Sequence, residues 1–421
     1  MHIYLSLLTI AVLHTVFPST TSAQIAGPKG DLIVVGKIDT IHSDILGEDR
    51  AIWVSVPESG IFPDKKYPVV YLLDGDAHFY SVMGMIQQLS TVNGNSVCPE
   101  MILIGIPNTD RMRDLTPTYV TEAMGDTLFN ETTGGLVNFT SFIENELMPF
   151  VESQYPVSPF KMFIGHSLGG LAVIHTLLTR PYLFNSWVAI DPSLWWDDRL
   201  INTMSDSLKH KSKYADESLY LAIANTMPED MTVDKVVKDT SMNTEHIRSI
   251  LEFSDFANGK MKSNGMEFRS KYYDAEDHGS LPLIAEIDAL KYLFKWYAFG
   301  FKDLEKFMNP SSTADTKEFV DLVNHHYKGV SDHFGFQVLP DERMINSLGY
   351  EFLAQQKSEL SFVCFEMNVM NYPQSSNVFD SMGDYYMTIG EDTKALDYFS
   401  KALAIEEVPL TREKYETLKK K

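Results

Sequence analysis

The sequence predicts an α/β fold with a mostly parallel central sheet, followed by a small all-α region. Three observations carry this. Nearly continuous apolar runs alternate with helix-compatible segments, as expected of strands covered on both faces by crossover helices. Lys161-Met162-Phe163-Ile164 passes through Gly165-His166-Ser167-Leu168-Gly169 straight into an apolar, helix-compatible segment. Beyond residue 309 strand-like runs nearly vanish, and an internal repeat with a period of 34 residues takes over.

In chain order, residues 31–40 and 51–57 alternate and are rich in β-branched residues, which predicts two strands. Glu48-Asp49-Arg50 reads as the polar turn between them, and residues 60–66 as a loop. Tyr67–Leu73 is a buried strand that ends at Asp74-Gly75-Asp76. Residues 81–89 suit a helix, and residues 100–106 a second buried strand. Phe139, Phe142, Ile143 and Leu147 have helical spacing within residues 136–151. The strand and helix around Ser167 follow, the helix running to about Thr179. Ser186–Ile190, Ser218–Ala224 and Glu267–Tyr273 read as strands, Glu245–Phe256 and residues 281–301 as helices. In such sheets functional residues gather just past the carboxyl ends of strands. Asp76, Ser167, Asp191 and His278 all stand there.

Asn309-Pro310-Ser311-Ser312-Thr313 marks the expected boundary between residues 24–308 and 309–421. In the second part Ser347-Leu348-Gly349-Tyr350 matches Ser381-Met382-Gly383-Asp384 at an offset of 34, and Phe365 matches Phe399 at the same offset. Small and aromatic positions in register at this period are the tetratricopeptide signature of stacked helix pairs. Two units are too few to stand alone, so the tail is expected to pack on the first domain.

Composition narrows the function. Asp+Glu number 57 against 35 Lys+Arg, a net charge of −22, which argues against nucleic acid and anionic membrane surfaces as partners. Cys98 and Cys364 give neither a disulfide framework nor metal-ligand spacing, so two free thiols and no metal or other cofactor are expected. Residues 1–23 resemble a secretory signal, with an apolar core and Thr21-Ser22-Ala23 before Gln24, although the first three residues carry no Lys or Arg. No later stretch is long and apolar enough for a membrane span. An exported protein follows from this reading, periplasmic or secreted.

The Gly-x-Ser-x-Gly turn places Ser167 as a nucleophile, with the N–H of Leu168 as an oxyanion donor. A serine hydroxyl needs a base. Among the histidines after Ser167 in the first domain, His175 falls in the helix, His210 in a Lys-rich stretch and His246 on an expected helix. His278 lies in the short polar loop Asp277-His278-Gly279-Ser280 after a late strand, where the base belongs. His166 is expected to point away across the turn and pack beneath it. The N–H of Asp76 is the second oxyanion donor expected, from the loop after an early strand. The acid stays open: Glu229 or Asp230 in the loop after Ser218–Ala224, Asp191 as a rival, or a dyad with no acid.

Five motifs in order, Leu72-Leu73-Asp74-Gly75-Asp76, the stretch from Gly105 to Pro117, Gly165 to Gly170, Asp191-Pro192-Ser193-Leu194-Trp195-Trp196 and Asp277 to Ser280, resemble the esterase D-like esterase family of α/β-hydrolases. That family includes enterochelin and other siderophore esterases and S-formylglutathione hydrolase. The resemblance covers about residues 31–301 and implies a serine esterase with Ser167 as nucleophile and His278 as base. Asn108-Thr109-Asp110-Arg111-Met112-Arg113-Asp114 looks closest to the siderophore-esterase branch. Arg111, Arg113 and Trp195 are then expected to touch a small-molecule ester, or Arg113 to pair with Asp110 or Asp114 and fix its loop. Acyl transfer on the same scaffold, and a non-catalytic binder acting through residues 340–421, are the alternatives.

Overall fold

The computed structural model describes residues 32–57, 65–123, 126–127, 132–207, 214, 217–309 and 315–421. The expected signal (residues 1–23), most of the expected loop at 60–66 and residues 310–313 of the expected boundary lie outside the described residues.

Strands β1 (Lys37–Ser43), β2 (Glu48–Ser55), β3 (Tyr67–Leu73), β4 (Ile102–Ile106), β5 (Val157–His166), β6 (Ser186–Ile190), β7 (Ser218–Ala224) and β8 (Glu267–Tyr273) build the main sheet in the order β1-β2-β4-β3-β5-β6-β7-β8. β2 runs antiparallel to β1 and β4, and the remaining neighbours are parallel. Every residue of β3 is buried. Val69, Tyr71 and Leu73 enter one apolar core, and Val70 and Leu72 the other. That two-sided burial is why β3 reads as an unbroken apolar run rather than an alternating one. At about 1.5–3 kcal/mol per large apolar side chain, the two cores make this sheet the main source of stability.

The first hairpin differs from expectation. The reversal lies at Asp44–Gly47, with Gly47 at φ 68, and Glu48–Arg50 belong to β2. Arg50 is only 1% exposed and bonds Asp114 Oδ2 at 2.6 Å, so these charges serve a buried network rather than a solvated turn. β1 also starts later than expected, because Leu32, Ile33 and Val34 have no strand partner and stay exposed.

Helix α1 (Gly75–Ser90) covers one face together with α5 (Leu281–Leu293). On the other face lie α3 (Leu168–Thr179), α4 (Glu245–Phe256) and the helical stretch spanning residues 136–154; α2 (Arg111–Leu115) is a single turn after β4. The helix expected over 281–301 stops at Leu293. Phe294 is fully buried there, and its ring meets Phe160 at 5.8 Å.

The rest of the chain is helical: α6 (Phe301–Met308), α7 (Thr316–Phe334), α8 (Glu342–Ala354), α9 (Ser358–Asn371), α10 (Ser376–Thr388), α11 (Asp392–Ile405) and α12 (Pro409–Lys419). Leu304 and Phe307 of α6 join Phe319, Ile345 and Phe352 in a core of this region. α7 brings Val330 and Phe334 into the α1–α5 core, where the Phe334 ring stands edge-on to Phe160 at 5.4 Å, so the helical region is packed on the sheet domain. The register of the repeat has a direct cause. A Cβ on Gly349 would lie 2.6 Å from the ring of Phe365, and one on Gly383 would lie 2.5 Å from Phe399. The small and aromatic positions that match at an offset of 34 are the contacts closing the α8–α9 and α10–α11 hairpins.

Candidate active site

β5 ends at His166, and Ser167 takes φ 60, ψ −118 before α3 begins. A non-glycine residue at positive φ carries about 1–3 kcal/mol of strain that its surroundings must hold. They do so through Ser167 N–H to Ile190 O at 3.0 Å, and Ser167 O accepting from Leu171 N and Ser193 N, both at 3.0 Å. The flanking glycine is obligatory: a Cβ on Gly165 would stand 2.3 Å from Gly169 O. Leu168 opens α3, where first-turn N–H groups lack intrahelical acceptors and face outward.

The expected base lies across the same sheet edge. His278 Nδ1 is 2.6 Å from Asp191 Oδ2. Asp191 ends β6 at φ 40, is fully buried, and its N–H donates to Ala222 O at 2.8 Å. Its Oδ1 accepts from Ala224 N at 2.9 Å, and its Oδ2 accepts also from His246 Nε2 at 2.8 Å. Burial pushes this carboxyl up, but hydrogen bonds from His246 and His278 outweigh that and hold it far below the usual carboxylate range. The loop carrying His278 is fixed by Asp277 Oδ1, which accepts from Gly279 N and Ser280 N at 2.9 and 2.8 Å.

Glu229 and Asp230, expected as acids, are exposed and make no hydrogen bond to His278 among the described residues. The acid at His278 sits one strand earlier, directly after β6. The side-by-side pairing of β6 and β7 sets this: Ala224 N–H meets Asp191, so the end of β6 already faces the late loop.

His166 does not turn away beneath the elbow. Its Nε2 bonds His278 O at 2.9 Å, and the two rings lie 4.5 Å apart. A carbonyl only accepts, so Nε2 carries the proton. Burial first, then His278 and His78, push His166 down to about 4, leaving it neutral at pH 7. Among the described residues no hydrogen bond joins Ser167 to His278. Ser167 Oγ has Ser193 Oγ 3.4 Å away, and such bonds commonly tighten only once substrate is bound.

The second expected oxyanion donor is also at a helix start. Asp74, at φ 51, precedes α1, whose first turn contains Gly75 and Asp76. Gly75 presses on β4, since a Cβ there would be 2.6 Å from Ile106 N. Arg111 is committed to this turn: Nε and Nη2 donate to the two Asp74 oxygens at 2.7 and 3.0 Å, and Nη2 reaches His166 O at 3.4 Å. Burial pushes Asp74 up, and Arg111 with Asn108 brings it below its ordinary value. Arg113 instead bonds Glu48 at 2.6 Å and Asp114 at 2.7 Å, away from the elbow, and pulls Glu48 down to about 2. Trp195 is half-buried, with its ring 5.8 Å from Trp196.

His246 is the residue that sequence reasoning passed over. Its helix was legible, but nothing in a single polar residue on a helix reports what a neighbouring strand end brings to it. Asp191, His246 and His278 place three donor atoms within 4.8 Å of one another, a set a metal ion could use. Both imidazoles here bond the carboxylate instead.

Comparison with known proteins bears on the family and the fold. A family described as "Putative esterase" matches residues 43–277. A siderophore enterobactin esterase of Emericella nidulans is 35% identical over 159 residues, 35% of this chain and 52% of that protein. The ferri-bacillibactin esterase BesA of Bacillus subtilis is 31% identical over 188 residues, 41% of this chain and 63% of that protein. The chain thus spans between about half and two-thirds of the length of these curated relatives. An IroE-like serine hydrolase of Shewanella oneidensis superposes with a TM-score of 0.63 at 29% identity, covering 79% of this chain and 98% of that one. With the elbow, the mostly parallel sheet and more than half of its length matched, the chain belongs to this esterase family of α/β-hydrolases.

Proposed function

We propose that this protein hydrolyses carboxylic esters through an acyl-enzyme on Ser167, and that its substrates are siderophore-type esters. The observation that carries the reading is the Asp191–His278 hydrogen bond at the sheet edge that also holds the strained Ser167. His278 Nε2 takes the hydroxyl proton as Ser167 Oγ attacks the ester carbonyl. Asp191 holds Nδ1–H, which fixes the tautomer and stabilises the imidazolium. The N–H groups of Leu168 and Asp76 receive the oxyanion. Imidazolium then protonates the leaving alcohol, and water repeats the sequence to release the acid. The two relatives named for enterobactin and ferri-bacillibactin support the substrate class. Residues 1–23 act as an export signal, and residues 309–421 form a tetratricopeptide-like helical domain whose residues 340–421 offer a protein-binding surface.

The test is turnover of a substrate panel, with catecholate trilactones beside aryl acetates, feruloyl esters and thioesters. Ser167→Ala is expected to lose on the order of 10⁴-fold or more in kcat, and Asp191→Asn about 10³–10⁴-fold, with KM little changed. Unchanged turnover by Ser167→Ala, together with no labelling of Ser167 by a fluorophosphonate, sinks the reading. Preference for aryl acetates over every trilactone removes the siderophore assignment alone.

A further inference from the structure

His246 has no part in the reaction sequence above, yet it bonds the oxygen on which that sequence depends. Its Nε2 lies 2.8 Å from Asp191 Oδ2, and His278 Nδ1 lies 2.6 Å from the same oxygen. The two rings are nearly perpendicular, 84° apart with centroids at 5.3 Å, so they reach the oxygen from different sides. Asp191 Oδ1 is taken by the Ala224 N–H. Among the described residues no Arg or Lys touches this carboxylate. Its charge is answered by one amide and two imidazoles.

We propose that His246 is a positioning residue for the esterase reaction: its Nε2–H clamps the carboxylate that orients His278. The inference rests on the esterase reading above. His246 is in the first turn of α4, a rigid element, and Ser249 Oγ caps its carbonyl at 2.7 Å. A carboxylate oxygen only accepts, so the His246 Nε2 that faces it donates. Beside it, Glu245 is engaged by Arg199 of the segment after β6 and by Arg248 of α4.

The clamp has two effects. It fixes the plane of a carboxylate that the backbone holds at one oxygen only. It also draws off part of the Asp191 charge that would otherwise act on His278 alone. Among the described residues, the charged and titratable groups that face His278 are Asp191, His246, His166, whose ring is tilted 41° to it, and Asp277 of its own loop. Removing the His246 N–H leaves Asp191 a stronger acceptor for His278 alone, which favours imidazolium. The acid limb of kcat/KM, which needs neutral His278, then moves to higher pH.

The experiment uses the full chain and a soluble aryl ester. His246→Leu is expected to lower kcat about tenfold with KM within twofold, and to raise the acid limb by roughly half to one pH unit. His246→Gln keeps an N–H donor and is expected to return the limb to within a few tenths of a unit. Should His246→Leu fail to fold, His246→Asn, too short to reach Oδ2, is expected to show the same loss. Wild-type kcat and an unmoved limb in folded His246→Leu or His246→Asn overturn the proposal. So does wild-type activity abolished by EDTA and restored by Zn²⁺ alone, which would make the same three residues a metal site. Ser167→Ala run in parallel separates the two failures: if it stays active the esterase reading is wrong, and if it is dead while His246→Leu is normal only the clamp is wrong.

Discussion

Glu286 shows how far single residues behind the site depart from solution behaviour. It is 2% exposed on α5, its Oε2 has no hydrogen-bond partner among the described residues, and its other oxygen lies 4.0 Å from His78 Nδ1. Burial pushes it up to about 8, so the folded protein holds this carboxyl protonated at neutral pH. An unfolded glutamate ionises near pH 4.3. Between about 4.3 and 8 the unfolded chain therefore binds fewer protons than the fold, and stability falls as pH rises through that window. Glu286→Gln keeps the shape and removes the ionisable group. It is expected to be more stable than the parent by about 1–3 kcal/mol at pH 8, with the gap closing towards pH 4.5. Denaturant midpoints at the two pH values check this, and a gap that does not change with pH refutes it. Ser167, Leu168, Asp76 and His278 were legible as candidates because each lies in a turn motif directly after a strand. Asp191 stayed one of three options. Only the pairing of β6 with β7 decides which acid meets His278, and register is a property of the folded sheet.

At the scale of elements, legibility followed the strength of the local pattern. β3, β6, β7, β8 and α4 fall where the apolar runs place them, because burial on two faces or one leaves a period that composition alone reports. The first turn and the start of β2 did not, because a charged Arg50 looks like loop until Asp114 and Glu48 are known to surround it. The helical hairpins were legible through their period, and their contacts allow a sharp test. Gly383→Ala puts a methyl 2.5 Å from the fully buried Phe399 ring. Overpacking of this kind costs about 1–3 kcal/mol. Thermal unfolding is expected to show that loss for Gly383→Ala and also for Gly349→Ala. A change of under about 0.5 kcal/mol in both would mean that the ring-on-glycine contacts do not close the hairpins.

At the scale of the molecule, the sheet domain and the helical region share apolar surface through one residue cluster. Phe334 of α7 meets Phe160 of β5 and lies near Phe294 after α5. Phe334→Ala is expected to cost about 3–5 kcal/mol, because it empties a site whose neighbours come from a strand, a helix end and another helix and cannot collapse together. Chemical denaturation followed by intrinsic fluorescence reads the loss. If the two regions were independent, the melting of the sheet domain would not move.

The order of the strands also has a consequence in time. Asp74, Arg111 and Ser167 sit on the neighbouring strands β4, β3 and β5 and the turns that follow them, all complete within the first 170 residues. His278 follows β8, the outermost strand and the last to be made. A growing chain therefore carries the residues of the elbow long before it carries His278, and the Asp191–His278 contact waits for the final strand. In refolding, that contact returns only once the last edge has docked.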